Sequence, residues 1–326
     1  MENIQLSTES KNITKRKFSR IGLSLSSIFL ISVLSQFIGK YILDSINPNL
    51  ANKSWTIWIY FSLMYILGLP IFYLLLRNLP KYERGDKKDL KLTQFLAFFT
   101  VSISAIYIFN LVGLIINLLI MNITNTEIIN PLDELLNGTN KYLIMFFTAI
   151  IAPIVEEFIF RKVILNRVRF YGDKFAIFYT AILFGLFHGN FSQFFYATAL
   201  GMIFAYIAIK TNSIKYTIIL HMIINFMGGF LPLAIVEYVT NPNSITLQGM
   251  GIIAAYSLIV LSVFIIGLIV FFKYRKNIRL EPPNNKFFNV NNLNKKAYLN
   301  IGMLIFYIVC IIQFITVING VFTDTQ

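Results

Sequence analysis

The chain has 326 residues, of which 56% are hydrophobic and 13% are charged, and it carries a formal net charge of +13. Soluble domains are about 45–50% apolar and about 25% charged, so this composition excludes an ordinary soluble protein. The mean hydropathy of +0.68 and the apolar runs that recur from Ile21 to Gly320 predict an all-α, polytopic membrane protein.

Nine apolar runs are candidate membrane helices. Their approximate bounds are 21–43, 55–77, 94–121, 142–164, 175–189, 191–210, 214–236, 249–272 and 298–320. The fifth run is short, and Gly189-Asn190 follows it at once. About 14 helical residues span only about 21 Å, less than the hydrocarbon core of about 30 Å. We therefore expect runs five and six to form a hairpin that stops short of the outer surface.

The loops between these runs alternate in charge. Basic residues concentrate before run one and in the loops after runs two, four, six and eight, whereas the other loops are neutral or acidic. Because Lys and Arg are enriched in cytoplasmic loops, this alternation predicts an integral protein of the cell membrane with the N-terminus in the cytoplasm and the C-terminus outside. The first 20 residues lack a small-residue cleavage site, so we expect an uncleaved anchor.

The predicted organisation has four parts. A cytoplasmic tail (1–20) precedes three helices (21–140), a core of four helices (141–236) and two further helices (237–326). The basic residues follow membrane topology rather than a nucleic-acid surface, so we expect no nucleic-acid partner. The single cysteine, Cys310, excludes a disulfide framework and a Cys-rich metal site, and we expect it to be buried and inert.

The strongest functional signal is a group of ionisable residues inside run four, because charges at membrane depth are costly and usually functional. Glu157 and Arg161 are four residues apart, so they share a helix face and are predicted to form an ion pair. Glu156 is rotated by about 100° from Glu157 and must find its partner on other helices. Pro153, one turn earlier, predicts a kink beside the carboxylates.

Two other runs place polar groups at membrane depth. The chain has two histidines. Phe184 and His188 share one face of run five, and His221 and Asn225 share one face of run seven. Convergence of these groups with the carboxylates of run four on one buried cavity would satisfy all of them.

Such a set of groups is suited to hydrolysis. A carboxylate in a water-poor cavity can act as a general base toward water, and a histidine beside it can orient that water or carry a proton to the leaving amine. A His and an Asn one turn apart can donate hydrogen bonds to an oxyanion. Glu156, His188 and His221 could instead hold a zinc ion. The residues leave both mechanisms open, and each motif alone could simply join helices.

The three motifs resemble those of the CAAX prenyl protease and bacteriocin-processing family, also called the CPBP or Abi family. The resemblance covers about residues 140–236. The E-E-x-x-x-R motif is Glu156, Glu157 and Arg161, the F-x-x-x-H motif is Phe184 and His188, and the H-x-x-x-N motif is His221 and Asn225.

The resemblance implies an intramembrane endopeptidase whose site lies in a cavity open to the cytosol. By this analogy, Glu156 and His188 activate the water. His221 and Asn225 form the oxyanion site, and the remaining motif residues, Phe184 among them, support it. Members have been described both as metalloproteases and as glutamate-dependent proteases, so the resemblance implies either a zinc ion or no cofactor.

The motifs do not choose between the substrates of this family, which are lipidated CAAX proteins in some members and peptides linked to maturation or bacteriocin immunity in others. The Ile-, Asn-, Lys- and Phe-rich composition favours a bacterial member. The alternative function is a transporter, or an immunity or scaffold protein that uses the same buried polar groups without catalysis. Transporters often contain repeated halves, and no matching pair of polar runs occurs here.

Overall fold

The computed structural model describes residues 2–47, 50, 53, 55–126, 128, 140–241, 244–283 and 292–319. This part of the chain is a bundle of long helices, which confirms the predicted all-α polytopic fold. The helices are α1 (Glu2–Ile46), α2 (Thr56–Leu76), α3 (Leu92–Thr124), α4 (Lys141–Tyr171), α5 (Asp173–Phe187), α6 (Phe191–Thr211), α7 (Lys215–Asn225), α8 (Leu231–Val239), α9 (Leu247–Tyr274), α10 (Leu293–Tyr298) and α11 (Ile301–Ile318).

Two small irregular elements complete the fold. A π-helical segment, Phe226–Phe230, joins α7 to α8. After α8, strand β1 (Thr240–Asn241) pairs antiparallel with β2 (Ser244–Ile245), and Thr240 lies opposite Ile245 in this register.

Seven helices in the described part of the chain are long and apolar enough to cross a membrane, and each corresponds to one of the nine predicted runs. They are α1 from Thr14, α2, α3, α4, α6, α9 with its following turn, and α11. The other two predicted runs are helical as well but are not among these seven; run seven continues from α7 through the π-helical segment into α8. α5 has 15 residues, which confirms that run five is short. α7 has 11 residues before its hydrogen bonding changes to the π pattern.

Loops from distant parts of the sequence meet at one end of the bundle. In the loop after α2, Arg84 donates from Nε to Asn166 Oδ1 (2.6 Å) and from Nη2 to the carbonyl oxygen of Arg161 (2.7 Å), both on α4. Burial and a nearby arginine lower the pKa of Arg84 to about 10, so it stays charged at neutral pH. The loop after α9 joins the same end, where the amide of Asp173 donates to the carbonyl oxygen of Glu281 (3.0 Å).

We call this end, where the loops after α2, α4, α6 and α9 lie, the basic end. Its described basic residues include Arg77, Lys81, Arg84, Lys87, Lys88, Lys91, Arg167, Arg169, Lys174, Lys210, Lys215, Lys273, Arg275, Lys276 and Arg279. At the opposite end, the described basic residues are Lys40, Lys53 and Lys141. The side of the membrane on which each end lies stays a prediction. Of the predicted acidic segments, Glu127, residues 129–134 and the tail at Asp324 lie outside the described residues.

Polar residues mark several helix ends. Asn125 and Asn212 adopt left-handed backbone conformations (φ 53° and 52°) just after α3 and α6. Asn190, Thr246 and Asn300 precede α6, α9 and α11, and each side chain accepts a hydrogen bond from the backbone amide three residues later. These contacts satisfy backbone groups that a helix end leaves without partners, and they fix where each helix begins or ends.

The half of the bundle toward the basic end is filled by packed apolar side chains. A cluster joins α1, α2, α4, α5 and α11, and its buried members include Phe18, Ile21, Leu25, Phe72, Leu76, Phe160, Ile164, Leu183, Phe306 and Cys310. Cys310 is therefore buried, as expected. A smaller cluster joins α3, α6 and α7 around Phe204 and Leu220. α2, α3 and α9 instead expose many Leu, Ile and Phe side chains, which is the surface expected to face lipid.

Candidate active site

The hydrogen bonding of α4 changes on both sides of the two carboxylates. An α-helical turn, Ala152–Glu157, is flanked by the π-helical segments Met145–Ile151 and Phe158–Ile164. Pro153 lies at the start of this turn, where its missing N–H falls at a junction between the two helix types. Short π segments within helices occur frequently at functional sites. The hydrogen-bond pattern of α4 therefore changes beside the carboxylates, and the kink predicted from Pro153 stays a prediction.

Glu157 and Arg161 form the predicted ion pair. Arg161 Nη1 lies 3.0 Å from Glu157 Oε1, and both side chains are buried. The same carboxylate oxygen lies 3.2 Å from Nδ1 of His221 on α7. The guanidinium of Arg161 also lies 4.3 Å from the centre of the Phe184 ring and 5.3 Å from that of Phe204. These rings stabilise the cation where water is excluded.

Glu156 has a different environment from that of its neighbour. Its side chain is 16% exposed, whereas that of Glu157 is fully buried. Its nearest basic group is Nε2 of His221, 3.8 Å from Oε2, and Oε2 has no hydrogen-bond partner among the described residues. His221 therefore lies between the two carboxylates, and the partner that Glu156 needed from another helix comes from α7.

His188 follows the last residue of α5, and its ring is held by the residue four positions earlier. Nδ1 lies 2.8 Å from the carbonyl oxygen of Phe184. Because a carbonyl oxygen only accepts, Nδ1 carries the proton in the neutral ring and Nε2 keeps its lone pair. The Phe184 ring contacts the His188 ring edge-on at 4.9 Å and lies 5.9 Å from the His221 ring. Phe184 thus positions both histidines.

The turn after His188 depends on Gly189, whose φ of +67° is a conformation that other residues rarely adopt. A Cβ at this position would also meet Gln313 of α11, 2.5 Å from its Oε1. The short α5 can therefore turn into α6 at membrane depth while packed against α11. Non-helical backbone at that depth is tolerated where it is buried in protein or lines a cavity.

Asn225 joins α7 to α4. Its Nδ2 donates to the carbonyl oxygen of Thr148 at 2.8 Å. This bond uses one of the two N–H groups of the amide and fixes the plane of the side chain. The second N–H forms no hydrogen bond with the described residues, and Asn225 lines the cavity.

One cavity of about 880 Å³ brings these groups together. It is lined by Glu156, His188, His221 and Asn225, whereas Glu157 and Arg161 lie behind it. The predicted convergence of three helices on one cavity is therefore confirmed. The catalytic roles of the individual residues stay predictions.

The cavity also contains polar residues that the sequence did not single out. They include Tyr65 on α2, Asn110 and Asn117 on α3, Asn190, Ser192, Gln193 and Tyr196 at the start of α6, and Gln313 on α11. An isolated amide side chain in an apolar run usually forms a hydrogen bond between helices. None of these residues by itself therefore indicated a functional site. The seven-residue spacing of Asn110 and Asn117, which places them on one helix face, was an available signal.

The cavity lies in the half of the bundle away from the basic end. On α4 its lining residues run from Phe147 to Glu156, and on α7 and the following π segment they run from His221 to Gly229. No described loop residue at the basic end lines it. Arg161 and the apolar core lie between Glu156 and the basic end. The expectation that the cavity opens to the cytosol stays a prediction.

The fit of the site to a metal ion is incomplete. Among the described residues, no group of three or more His, Cys, Asp and Glu side chains is placed to hold a metal ion. The candidate ligands are Glu156, His188 and His221. Both ring nitrogens of His221 face carboxylates: Nδ1 lies 3.2 Å from Glu157, and Nε2 lies 3.8 Å from Glu156. We therefore derive no step through a metal.

Comparison with known proteins gives a match over the same helices. The family model described as Type II CAAX prenyl endopeptidase Rce1-like matches residues 138–227, which contain all three motifs. This stretch is therefore similar in sequence to the CPBP family. The resemblance seen in the motifs is thereby confirmed for these 90 residues, and the family match does not extend to the helices on either side.

One curated relative matches a similar length of chain. A Bacillus subtilis (strain 168) protein named "Putative membrane peptidase YdiL" is 31% identical over 87 residues, which are 26% of this chain and 34% of that protein. The match thus spans about a third of the relative's length. No solved structure matches the chain.

Close packing of α5 against α6 gives a first test of the site's architecture. A Cβ at Gly185 would meet Thr198 Oγ1 and would lie 2.7 Å from the carbonyl oxygen of Phe194. We expect Gly185→Ala to push the two helices apart and to destabilise the protein by about 1–3 kcal/mol. The thermal midpoint in detergent measures this effect. Gly251→Ala on α9, where nothing lies within 4 Å, is the control, and equal midpoints for both variants would contradict the prediction.

Proposed function

We propose that the chain is an intramembrane endopeptidase that hydrolyses peptide bonds of membrane-associated proteins or peptides, with Glu156 as the base for the attacking water. The difference between the two adjacent carboxylates carries this proposal. Glu157 is fully buried and paired with Arg161 at 3.0 Å, whereas Glu156 lines the cavity, is 16% exposed and has its nearest basic group at 3.8 Å. A carboxylate in a cavity shielded from bulk water can bind and deprotonate a water molecule.

The first step is attack of this water on the carbonyl carbon of the substrate. Glu156 accepts the proton as the new C–O bond forms. His188 at the end of α5 assists, because its Nδ1–H is held by the Phe184 carbonyl and its Nε2 can accept a hydrogen bond from the same water. The C–N bond breaks when the amine nitrogen of the leaving group receives the proton that Glu156 has taken up.

Negative charge on the carbonyl oxygen needs donors during this step. Asn225 offers its second N–H, with its amide plane fixed by the bond to Thr148. His221 lies one turn earlier on α7 and faces Glu156 through Nε2. In this position it orients the base, and it lies close enough to Asn225 to share the oxyanion role that the family resemblance implies.

Peptide cleavage by the purified protein tests the proposal. The protein in lipid vesicles would be incubated with a mixture of apolar peptides, and the products would be identified by mass spectrometry. We expect His188→Ala and His221→Ala to lose activity to a similar extent, and Asn225→Ala to lose about 10²–10³-fold, the usual value of one oxyanion donor. Phe178→Ala on the exposed face of α5 should keep full activity. Cleavage that survives all three site substitutions would contradict the proposal.

A further inference from the structure

A hydrogen-bond network surrounds the start of α6, beside the turn that carries His188. Asn190 Oδ1 accepts from the backbone N–H of Gln193 (2.9 Å), and Asn190 Nδ2 donates to the carbonyl oxygen of His188 (2.8 Å). The same Nδ2 donates to Gln193 Oε1 (2.8 Å), and Gln193 Nε2 lies 3.1 Å from the hydroxyl oxygen of Tyr196. The network therefore begins at the backbone of the turn and ends at a phenol.

The direction of each hydrogen bond in this network follows from the backbone groups at its start. A backbone N–H only donates and a backbone carbonyl only accepts, so the two backbone contacts of Asn190 fix which end of its amide is the oxygen. The amide nitrogen of Asn190 then donates to Gln193 Oε1, which directs Gln193 Nε2 toward Tyr196. Tyr196 therefore accepts from Gln193, and its own O–H is left to donate elsewhere.

The hydroxyl of Tyr196 belongs to the cavity of the candidate active site. Tyr196 lines this cavity together with Glu156 and His188, and no described residue accepts a hydrogen bond from its O–H. The charge of Glu156 acts on this phenol, so the hydroxyl lies within electrostatic range of the proposed base. Because an O–H group inside a protein is costly without an acceptor, its acceptor is a molecule in the cavity.

We propose that Tyr196 is a further catalytic residue, whose O–H donates a hydrogen bond to the carbonyl oxygen of the scissile peptide bond as that oxygen becomes negative. This inference rests on the proposed function and deepens it. When water attacks, Glu156 takes up a proton and the negative charge moves to the carbonyl oxygen, where preorganised Tyr donors are effective. Tyr196 keeps its proton throughout. It donates from α6, whereas His221 and Asn225 donate from α7. Gln193 is a positioning residue, because it acts through Tyr196.

A conservative substitution isolates the hydroxyl. Tyr196→Phe removes the O–H and keeps the ring, and Tyr206→Phe on the same helix is the control, because Tyr206 is not among the residues that line the cavity. We expect Tyr196→Phe to lower kcat by about 10²–10³-fold with little change in KM, since the donor acts on charge that is present in the transition state. Tyr206→Phe should keep the wild-type kcat. A wild-type kcat in Tyr196→Phe would overturn the proposal.

The pH–rate profile of Tyr196→Phe shows which group the hydroxyl binds. A donor to the oxyanion lowers the rate at every pH when it is removed, and the acidic limb of the profile, which reports protonation of the base, stays in place. A donor to Glu156 itself would stabilise the ionised carboxylate, so its removal would move the acidic limb to higher pH. That movement would overturn the proposed role.

Gln193→Met tests the orientation of the hydroxyl. Met has a similar length but donates no hydrogen bond, so the O–H of Tyr196 is free to turn away from the oxyanion. We expect a smaller fall in kcat than in Tyr196→Phe, and the double variant should be no slower than Tyr196→Phe alone, because Gln193 acts through the hydroxyl. Effects that multiply in the double variant would overturn the role of the network.

Fluorine NMR separates this inference from the proposed function, because it needs no substrate. A fluorotyrosine would be incorporated at position 196, or at position 206 as the control. Glu156→Gln removes a charge that acts on Tyr196, so the resonance at position 196 should shift and that at position 206 should stay. An unchanged resonance at position 196 would overturn the inference. A shifted resonance, together with no peptide cleavage by the wild-type protein, would overturn the proposed function and leave the hydroxyl placed beside Glu156.

Discussion

Glu156→Gln is expected to abolish peptide cleavage and to leave the fold intact. The amide has the same shape as the carboxylate but cannot accept the proton from water. Glu156 belongs to no tight ion pair, because its nearest basic group is His221 Nε2 at 3.8 Å, so little stabilising energy is lost with its charge. A general base contributes about 10²–10⁴ in rate, and a loss of at least this size is expected. The cleavage rate and the thermal midpoint of the same preparation measure the two effects.

Glu157→Gln provides the matched comparison one residue away. Its carboxylate lies 3.0 Å from Arg161 and 3.2 Å from His221, and it does not line the cavity. Neutralising it leaves the buried guanidinium without a counter-charge, so we expect a lower thermal midpoint together with reduced activity. A Glu156→Gln protein that cleaves at a near wild-type rate would remove Glu156 from the role of base. If the thermal midpoint of Glu156→Gln were as low as that of Glu157→Gln, both carboxylates would have a structural role.

Local helix geometry accounts for what the sequence predicted well. A spacing of four residues places Glu157 and Arg161 on one face in any α-helix, and the ion pair is present. Hydropathy located the long helices to within a few residues at most ends. The convergence of the polar runs followed from the cost of leaving charges unpaired in lipid. Each of these arguments needs only the residues of one helix or a general energetic rule.

The direction of the cavity needed information of another kind. Glu156 lies midway along α4, between Lys141 and Tyr171. It is equally far from the two ends of the helix, so its position in the sequence does not show at which end the cavity is open. Openness depends on how neighbouring helices pack, and here Arg161 and its surrounding rings close one side. The resemblance to CAAX proteases implies a cavity open to the cytosol, and this stays a prediction.

The contacts of His221 show a second limit of sequence reasoning. Its spacing to Asn225 predicted a shared face, but its position between two carboxylates depends on how α4 is rotated against α7. Two π-helical segments lie in α4 on either side of the carboxylates, and neither has a reliable sequence signature apart from Pro153. The amides on α3 and α11 were missed for a related reason, since only the assembled bundle places Asn110 and Gln313 on one cavity.

Arg161→Ala is expected to destabilise the protein by about 3–5 kcal/mol, the usual cost of breaking a buried ion pair from one side, and to remove activity as well. The guanidinium is 1% exposed and 3.0 Å from Glu157. Its removal leaves a buried carboxylate beside His221 with no cation of comparable strength. It also leaves a hole between the Phe184 and Phe204 rings, which now hold the guanidinium at 4.3 and 5.3 Å. Phe184 positions both histidines, so the site should lose its geometry together with its stability.

Two further variants isolate the cause of this effect. Arg161→Lys keeps the charge but loses the planar group that lies against the rings, and an ammonium is more strongly hydrated than a guanidinium, so we expect a midpoint between those of the wild type and Arg161→Ala. Lys162→Ala removes a neighbouring charge that is exposed and should change the free energy of unfolding by less than about 0.5 kcal/mol, so its midpoint should stay close to that of the wild type. Equal midpoints for Arg161→Ala and Lys162→Ala would show that the buried pair does not stabilise the site. A restored midpoint in the double variant Glu157→Gln/Arg161→Ala would show that the cost lies in the unpaired carboxylate rather than in the lost ring contacts.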